Sequence, residues 1–211
     1  MAAFREHVAV GALASVAAVV TVYFYALITD PVLLGVLFAV TIIGSFLPDV
    51  DSDSGLPFYF VFGAVTLAIT GLAIYFALNT YADRIYFLIG VPLGVMFFAW
   101  FVLGEVFKRY THHRGIFHSL PAMGIAALLA YLGSQYFGAN DMVSLILALG
   151  MAAGFGIHLV MDEVHSEVNL DGNPFIPKRS LGTAFKLFST SRGVTLTTYL
   201  LLATLAYFVV Q

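Results

Sequence analysis

Cysteine is absent from the 211 residues. Disulfides and thiolate ligands are therefore excluded, and any metal the chain holds must be bound through His, Asp or Glu. Charge is scarce too. Asp, Glu, Lys and Arg make up 10% of the chain, against about 25% in an ordinary soluble domain, so there is too little polar surface to cover a core in water. The formal net charge is only -3, and no Lys/Arg run is long, which excludes the basic patch a nucleic-acid partner would need. The chain also lacks internal repeats, low-complexity segments and any linker that would set off a second domain.

What remains is apolar: 61% of residues are hydrophobic and the mean hydropathy is +0.96. These values imply an integral membrane protein, all-α, folded as one polytopic helix-bundle domain over residues 1–211. Seven apolar segments are expected at about 8–29, 32–48, 56–78, 85–104, 119–138, 142–161 and 194–210. A spanning helix takes about 20 residues, with a range of about 17–25, so the second and seventh sit at the short end. Turn chemistry fills the breaks: Thr29-Asp30-Pro31, Asp51 to Gly55, Asn79-Thr80, Asp83-Arg84 and Gly138 to Asp141. The first segment follows Arg5 and is rich in small residues from Ala12 to Ala18, as a signal peptide is. Its apolar run continues through Tyr23, Phe24, Tyr25 and Leu27, which is spanning length, and it reads as a retained helix.

Seven spans put the N-terminus and the loops at 49–55, 105–118 and 162–193 on one side. That side holds Arg5, Lys108, Arg109, Arg114, Lys178, Arg179, Lys186 and Arg192, and the other side only Arg84. By the positive-inside rule the first side is cytoplasmic. The chain is thus expected in the cell's inner membrane, with its C-terminus on the opposite side. Smaller features read structurally. Leu181, Phe185 and Phe188, with Ala184 beside them and Lys178, Arg179 and Lys186 around them, have the spacing of a short interfacial helix at about 181–189. A helix packed on the bundle fits the same stripe. Gly90-xxx-Gly94 and Gly150-xxx-Gly154 would allow close helix contacts, and Pro92 would kink its helix.

The polar residues are not spread evenly. All six histidines and nine of the twelve acids fall on the cytoplasmic side of this topology. His158 and Asp162, four apart on one helix, share a face about 6 Å apart along the axis and could hold a metal, or could simply make hydrogen bonds at a helix end. Asp49 and Asp51 follow Pro48 and, two apart in an extended segment, point the same way. Such carboxylates repel unless a cation lies between them or one is protonated, though an acidic solvated turn, as Asp53 and Ser54 fit, is the alternative. His113 and His118 bracket Arg114 and Gly115. The imidazoles suit Zn²⁺, Gly115 permits the bend that turns both inward, and Arg114 offers a fork for phosphate or a plain membrane-flanking charge. His7 stands at a helix mouth. His112 and His165 read as outer neighbours. Together His7, Asp49, Asp51, His113, His118, His158 and Asp162 lie within about one helical turn of the same membrane face. Seven N/O donors exceed the need of one tetrahedral ion and suit two.

The order His7-xxx-Gly11, Leu47-Pro48-Asp49-Val50-Asp51, His113-Arg114-Gly115-Ile116-Phe117-His118-Ser119 and Gly154-xxx-His158-xxx-Asp162 resembles the YdjM-type family of membrane-bound metal-dependent hydrolases, from His7 to about Asp162. Phe117 stands where that family often has Thr, and Ser52 where it often has His. The resemblance implies a hydrolase. With the residue-level reading it gives a cytoplasmic-face enzyme acting on a phosphoester or lipid headgroup, holding two divalent ions, Zn²⁺ first and Mn²⁺ or Mg²⁺ as alternatives. Asp51 or Asp49 would serve as general base or bridge, and Arg114, Lys178 and Arg179 would neutralise phosphate. Membrane lipids are its expected surroundings. A divalent-metal transporter or sensor is the alternative of another class, and a non-catalytic scaffold a third. Transport sites tend to lie near the bilayer midplane, whereas these ligands crowd one face.

Overall fold

The computed structural model describes residues 4–51, 56–81, 83–106, 115–168 and 185–211. Among them the chain is helical, with no strands: α1 Phe4–Phe24, α2 Pro31–Phe46 running into a 3₁₀ turn Leu47–Asp51, α3 Leu56–Thr80, α4 Ile85–Phe97 prolonged by a π-helical turn Phe98–Leu103, α5 Leu120–Tyr136, α6 Asp141–Val168 and α7 Arg192–Val210. All but α5 are long and apolar enough to cross a membrane, and α5, with 17 residues, is at the lower limit of about 17. The expected all-α membrane bundle is therefore what the chain forms.

The helix ends follow local chemistry. Asp30 caps α2, its Oδ1 accepting from the Val32 and Leu33 amides at 2.7 and 3.2 Å, with Pro31 pre-set for the first helical position. Helix α1 ends earlier than its apolar run. Ala26 takes a left-handed φ of 53°, and the Leu27 amide reaches back to the Val22 carbonyl, the 6→1 bond of a Schellman stop. The chain then dips inward, burying Ile28. Gly138, at φ 87°, turns α5 into α6, and Asn140 Oδ1 accepts from the Val143 amide. Helix α6 outlasts the expected segment and carries Asp162 and His165 within it.

The residues fall into two compact units, one comprising 1–48 and 114–211 and the other 49–113. In the first, α6 is central: 61% of its span is buried, against none of α7. It packs on α1, α2 and α5, and α5 packs on α7. One apolar cluster joins Val22, Ile28, Leu37, Val143 and Leu147, and another joins Ala126, Met151, Phe155 and Leu159. Between α2 and α6 the backbones nearly touch. A Cβ on Gly154 would run into the Thr41 carbonyl oxygen, one on Gly44 into the Met151 carbonyl oxygen, and one on Gly150 would meet Leu37 Cδ1 at 2.6 Å. On α1, a Cβ on Gly11 would overlap the Ser45 side chain. The Gly150/Gly154 pair thus makes the close contact its spacing predicts.

In the second unit α3 and α4 form an antiparallel hairpin, with aromatic rings rather than glycines at the seam. Tyr59 lies beside Trp100, with centroids 6.2 Å apart, and Gly104 faces Phe58 and Phe62. Here the sequence expectation needs correcting. Among the described residues nothing stands within 4 Å of a Cβ placed on Gly90 or Gly94, so that pair makes no close helix contact with any of them. Helix α4 continues through Pro92 and is instead interrupted by the π turn, where the Gly104 amide bonds to the Ala99 carbonyl. The interfacial helix at about 181–189 differs as well. Residues 181–184 lie outside those described, and from Phe185 to Ser189 the backbone is not helical. Lys186 pairs with Ser119 in a single parallel bridge, its carbonyl accepting from the Leu120 amide at 3.0 Å. That bond captures an amide of the first turn of α5, one of the donors a helix start leaves unpaired.

Candidate metal centre

Three imidazoles and one carboxylate meet inside the larger unit. His7 comes from the first turn of α1, His118 from the residue before the α5 cap, and His158 and Asp162 from successive turns of α6. Each is at most 1% exposed. His7 Nε2 is 3.5 Å from Asp162 Oδ1, while His118 Nε2 and His158 Nε2 are 3.7 and 3.9 Å from Oδ2. The latter two nitrogens are 3.4 Å apart, and the His7 and His158 rings stack with centroids 3.8 Å apart.

These spacings test whether a metal fits. Donors at about 2.05 Å from a tetrahedral Zn²⁺ stand about 3.3 Å from one another. Four donor pairs here lie 3.4–3.9 Å apart, with His7 on Oδ1 and the other two imidazoles on Oδ2. The stacked His7 and His158 rings would have to turn for both to face one ion. His7, His158 and Asp162 alone already bring one donor atom each within 4.8 Å of one another. The protonation pattern agrees. His158 Nδ1 lies 2.8 Å from the Ser45 carbonyl, which can only accept, so Nδ1 carries a proton and Nε2 faces the cluster. Metal-binding histidines are held by such an outer hydrogen bond as a rule. The close pair of Nε2 atoms is satisfied either by a proton on His118 or by a cation shared between two lone pairs. A carboxylate as buried as Asp162 also requires compensating positive charge, which the surrounding imidazoles supply by protonation or by sharing a cation with it. The buried cluster can therefore hold a metal ion.

The close helix crossing places these groups. Gly11 lies one turn beyond His7, and Gly154 one turn before His158. Without side chains there, α1 and α6 come near enough to α2 for the Ser45 carbonyl to reach His158. The polar residues in the crossing settle on their own helix: Ser15 donates to the Gly11 carbonyl, Thr41 to Leu37 and Ser45 to Ile42. His118 is fixed from the following residue. Ser119 Oγ donates to the Ile116 carbonyl and accepts from the Ala122 amide at 3.2 Å, capping α5.

Of the seven ligands expected from sequence, the structure brings together His7, His118, His158 and Asp162. Asp49 lies on the 3₁₀ turn at the start of the other unit, as does the backbone of Asp51. His113, Arg114, Lys178 and Arg179 lie outside the described residues. His165 is a neighbour, its Nε2 3.5 Å from Glu6 and its Nδ1 donating to the Met161 carbonyl. Sequence reasoning missed Ser45, which acts through its main chain and leaves no side-chain signature. It also missed Ser119 as the anchor of His118, although Ser119-Leu120-Pro121 carries a legible helix-start signal.

Neither the curated proteins nor the solved structures contain a match to the chain. The sequence profile of a family described as "YdjM inner membrane protein" matches residues 1–211. The chain belongs to that family.

Proposed function

We propose that this protein is a membrane-embedded, metal-dependent hydrolase that cleaves a phosphoester or lipid headgroup at the cytoplasmic face. The observation that supports this reading most is the convergence of three buried imidazoles on the Asp162 carboxylate within 3.5–3.9 Å. His7, His118, His158 and Asp162 would hold one divalent ion, with Zn²⁺ favoured by the nitrogen-rich donor set. Asp49, Asp51 and His113 are proposed as ligands of a second ion. When bound, divalent metal would supply Lewis acidity toward a phosphoryl oxygen and acidify water, which at an ion with four protein donors requires a fifth coordination position.

The chain's own residues would do the rest. The Ser45 carbonyl holds His158 through Nδ1, which turns Nε2 toward the cluster. Burial of the cluster excludes bulk water and so strengthens each charge interaction within it. Asp51 would accept the proton of the attacking water, and Arg114, Lys178 and Arg179 would neutralise the phosphate. His7 and Asp162 lie within one turn of the ends of their spans, a poor position for the midplane site typical of transporters.

Metal analysis of the detergent-purified protein should find at least one tightly held divalent ion per chain. His158→Ala and Asp162→Ala should each abolish its retention, and hydrolysis of a panel of phosphomonoesters, phosphodiesters and phospholipids should fall with it by at least about a hundredfold. Wild-type protein free of metal would sink the proposal. Metal flux into proteoliposomes that depends on Asp162, without hydrolysis, would replace it with transport.

A further inference from the structure

The α3–α4 hairpin carries a second built feature, independent of the metal cluster. At the end where α3 begins and the α4 span closes, a cavity of about 220 Å³ is lined by Phe58, Tyr59, Trp100, Phe101, Gly104 and the carboxylate-bearing Glu105. The Tyr59 and Trp100 rings, tilted at 32° with centroids 6.2 Å apart, form two sides of a corner instead of a stack. Phe58 extends that wall by stacking on Phe62 at 4.7 Å. Trp100 and Phe101 also border an adjoining groove of about 330 Å³, which runs deeper along the seam over Gly63, Leu67, Met96 and Phe97. That groove is open because position 63 is glycine: its nearest neighbour would be Trp100 Cζ3, 3.9 Å from an added Cβ.

The two cavities differ in chemistry in the order an amphiphile requires. Aromatic faces attract cations through their quadrupole, most strongly for Trp, and the acidic Glu105 lines the same mouth. This mouth lies at the ends of two candidate spans, Leu56–Thr80 and Ile85–Val106, the level at which headgroups sit. The groove below it is apolar and lies within the spans. An anionic headgroup would meet Glu105 with like charge. We propose that the α3–α4 seam binds one zwitterionic phospholipid, its ammonium group against Glu105 and the Tyr59–Trp100 corner and one acyl chain along the Gly63–Phe97 groove. This is a specific site, distinct from the general lipid contact of any spanning helix. Interfacial Trp and Tyr are common on such helices, but an acidic residue lining the same aromatic mouth over an apolar groove selects for a cationic head.

Trp100 is the only tryptophan, so its fluorescence reads the site directly. The full-length protein is placed in phosphatidylglycerol nanodiscs with increasing fractions of phosphatidylethanolamine brominated on its acyl chains. Saturable quenching is expected at lower mole fraction than with brominated phosphatidylglycerol. Glu105→Gln should raise the phosphatidylethanolamine midpoint roughly three- to tenfold, as for loss of one charge contact, and lower the phosphatidylglycerol midpoint, because the like charge is gone. Gly63→Leu, which fills the groove, should remove the saturable component while Glu105 is intact. Equal quenching by the two lipids, or no response to either substitution, would overturn the proposal. If Glu105→Gln does not yield folded protein, the wild-type headgroup comparison and Gly63→Leu decide it.

Discussion

The chain contains two glycine pairs of identical spacing in two different settings. In the five-helix unit, Gly150 and Gly154 sit where α6 meets α2 so closely that a methyl group on Gly154 would strike a backbone carbonyl. In the α3–α4 hairpin, Gly90 and Gly94 face open space, and the seam is filled by rings. The polar residues divide less sharply. Ser15, Thr41, Ser45 and Ser119 of the five-helix unit are fully buried and bonded to backbone carbonyls, while the buried hydroxyls of Ser144 in that unit and Thr66 in the hairpin have no hydrogen-bond partner among the described residues. Lipid tails are as apolar as Leu, so burying hydrocarbon does little to join helices within a membrane. Close packing and hydrogen bonds must do so. The five-helix unit uses both, and that is where three imidazoles and a carboxylate can be held in fixed positions. The hairpin uses neither to the same degree and presents large side chains to its surroundings.

The same substitution in both pairs separates these regimes. Gly154→Ala should be the most damaging change. Its Cβ would overlap the Thr41 carbonyl oxygen and stand 3.0 Å from the Ser45 amide nitrogen, and backbone cannot rotate away as a side-chain tip can. An overpacking cost of about 3 kcal/mol is expected, read as a lower thermal midpoint in detergent. Metal retention should fall too, because the displaced strip of α2 carries the carbonyl that orients His158. A midpoint within error of wild type would show that the crossing is looser than described and remove the reason for the contrast.

Ser119→Ala probes the other half of the comparison, the bonded polar residues. It deletes the α5 cap and frees the Ile116–Ala122 segment that fixes His118. Loss of a cap costs about 1 kcal/mol, and loosening of the adjacent ligand should weaken metal retention by about tenfold, as an outer-sphere change does. A loss of metal as complete as that expected for His158→Ala would mean that Ser119 does more than cap.

Much of this was legible in the sequence. Composition and apolar length establish a helical membrane protein, and the His158–Asp162 spacing places both groups on one face of α6. The opposite outcome of the two glycine pairs was not legible, because a spacing states that two residues share a helix face and says nothing of what that face meets. Nor was the role of Ser45, which needs the tertiary approach of α2 to α6. The helix expected at about 181–189 failed in its described part for a related reason. Phe185 and Phe188 have helical spacing, but the Lys186 carbonyl is taken by the Leu120 amide, a long-range bond that no local periodicity reveals.

Gly94→Ala should have the smallest effect and is the sharpest control. A glycine in a helix interior costs roughly 0.5–1 kcal/mol relative to alanine, through the freedom it retains in the unfolded chain. A methyl group recovers this wherever there is room for it, and at Gly94 nothing lies within 4 Å of the added Cβ. The thermal midpoint should hold or rise slightly, with metal content unchanged. Destabilisation of 1 kcal/mol or more would mean that a neighbour covers this face in the membrane, a second copy of the chain or a tightly held lipid. The hairpin would then also depend on close packing, supplied from outside the monomer. An unchanged or higher midpoint would confine that dependence to the five-helix unit that holds the metal centre.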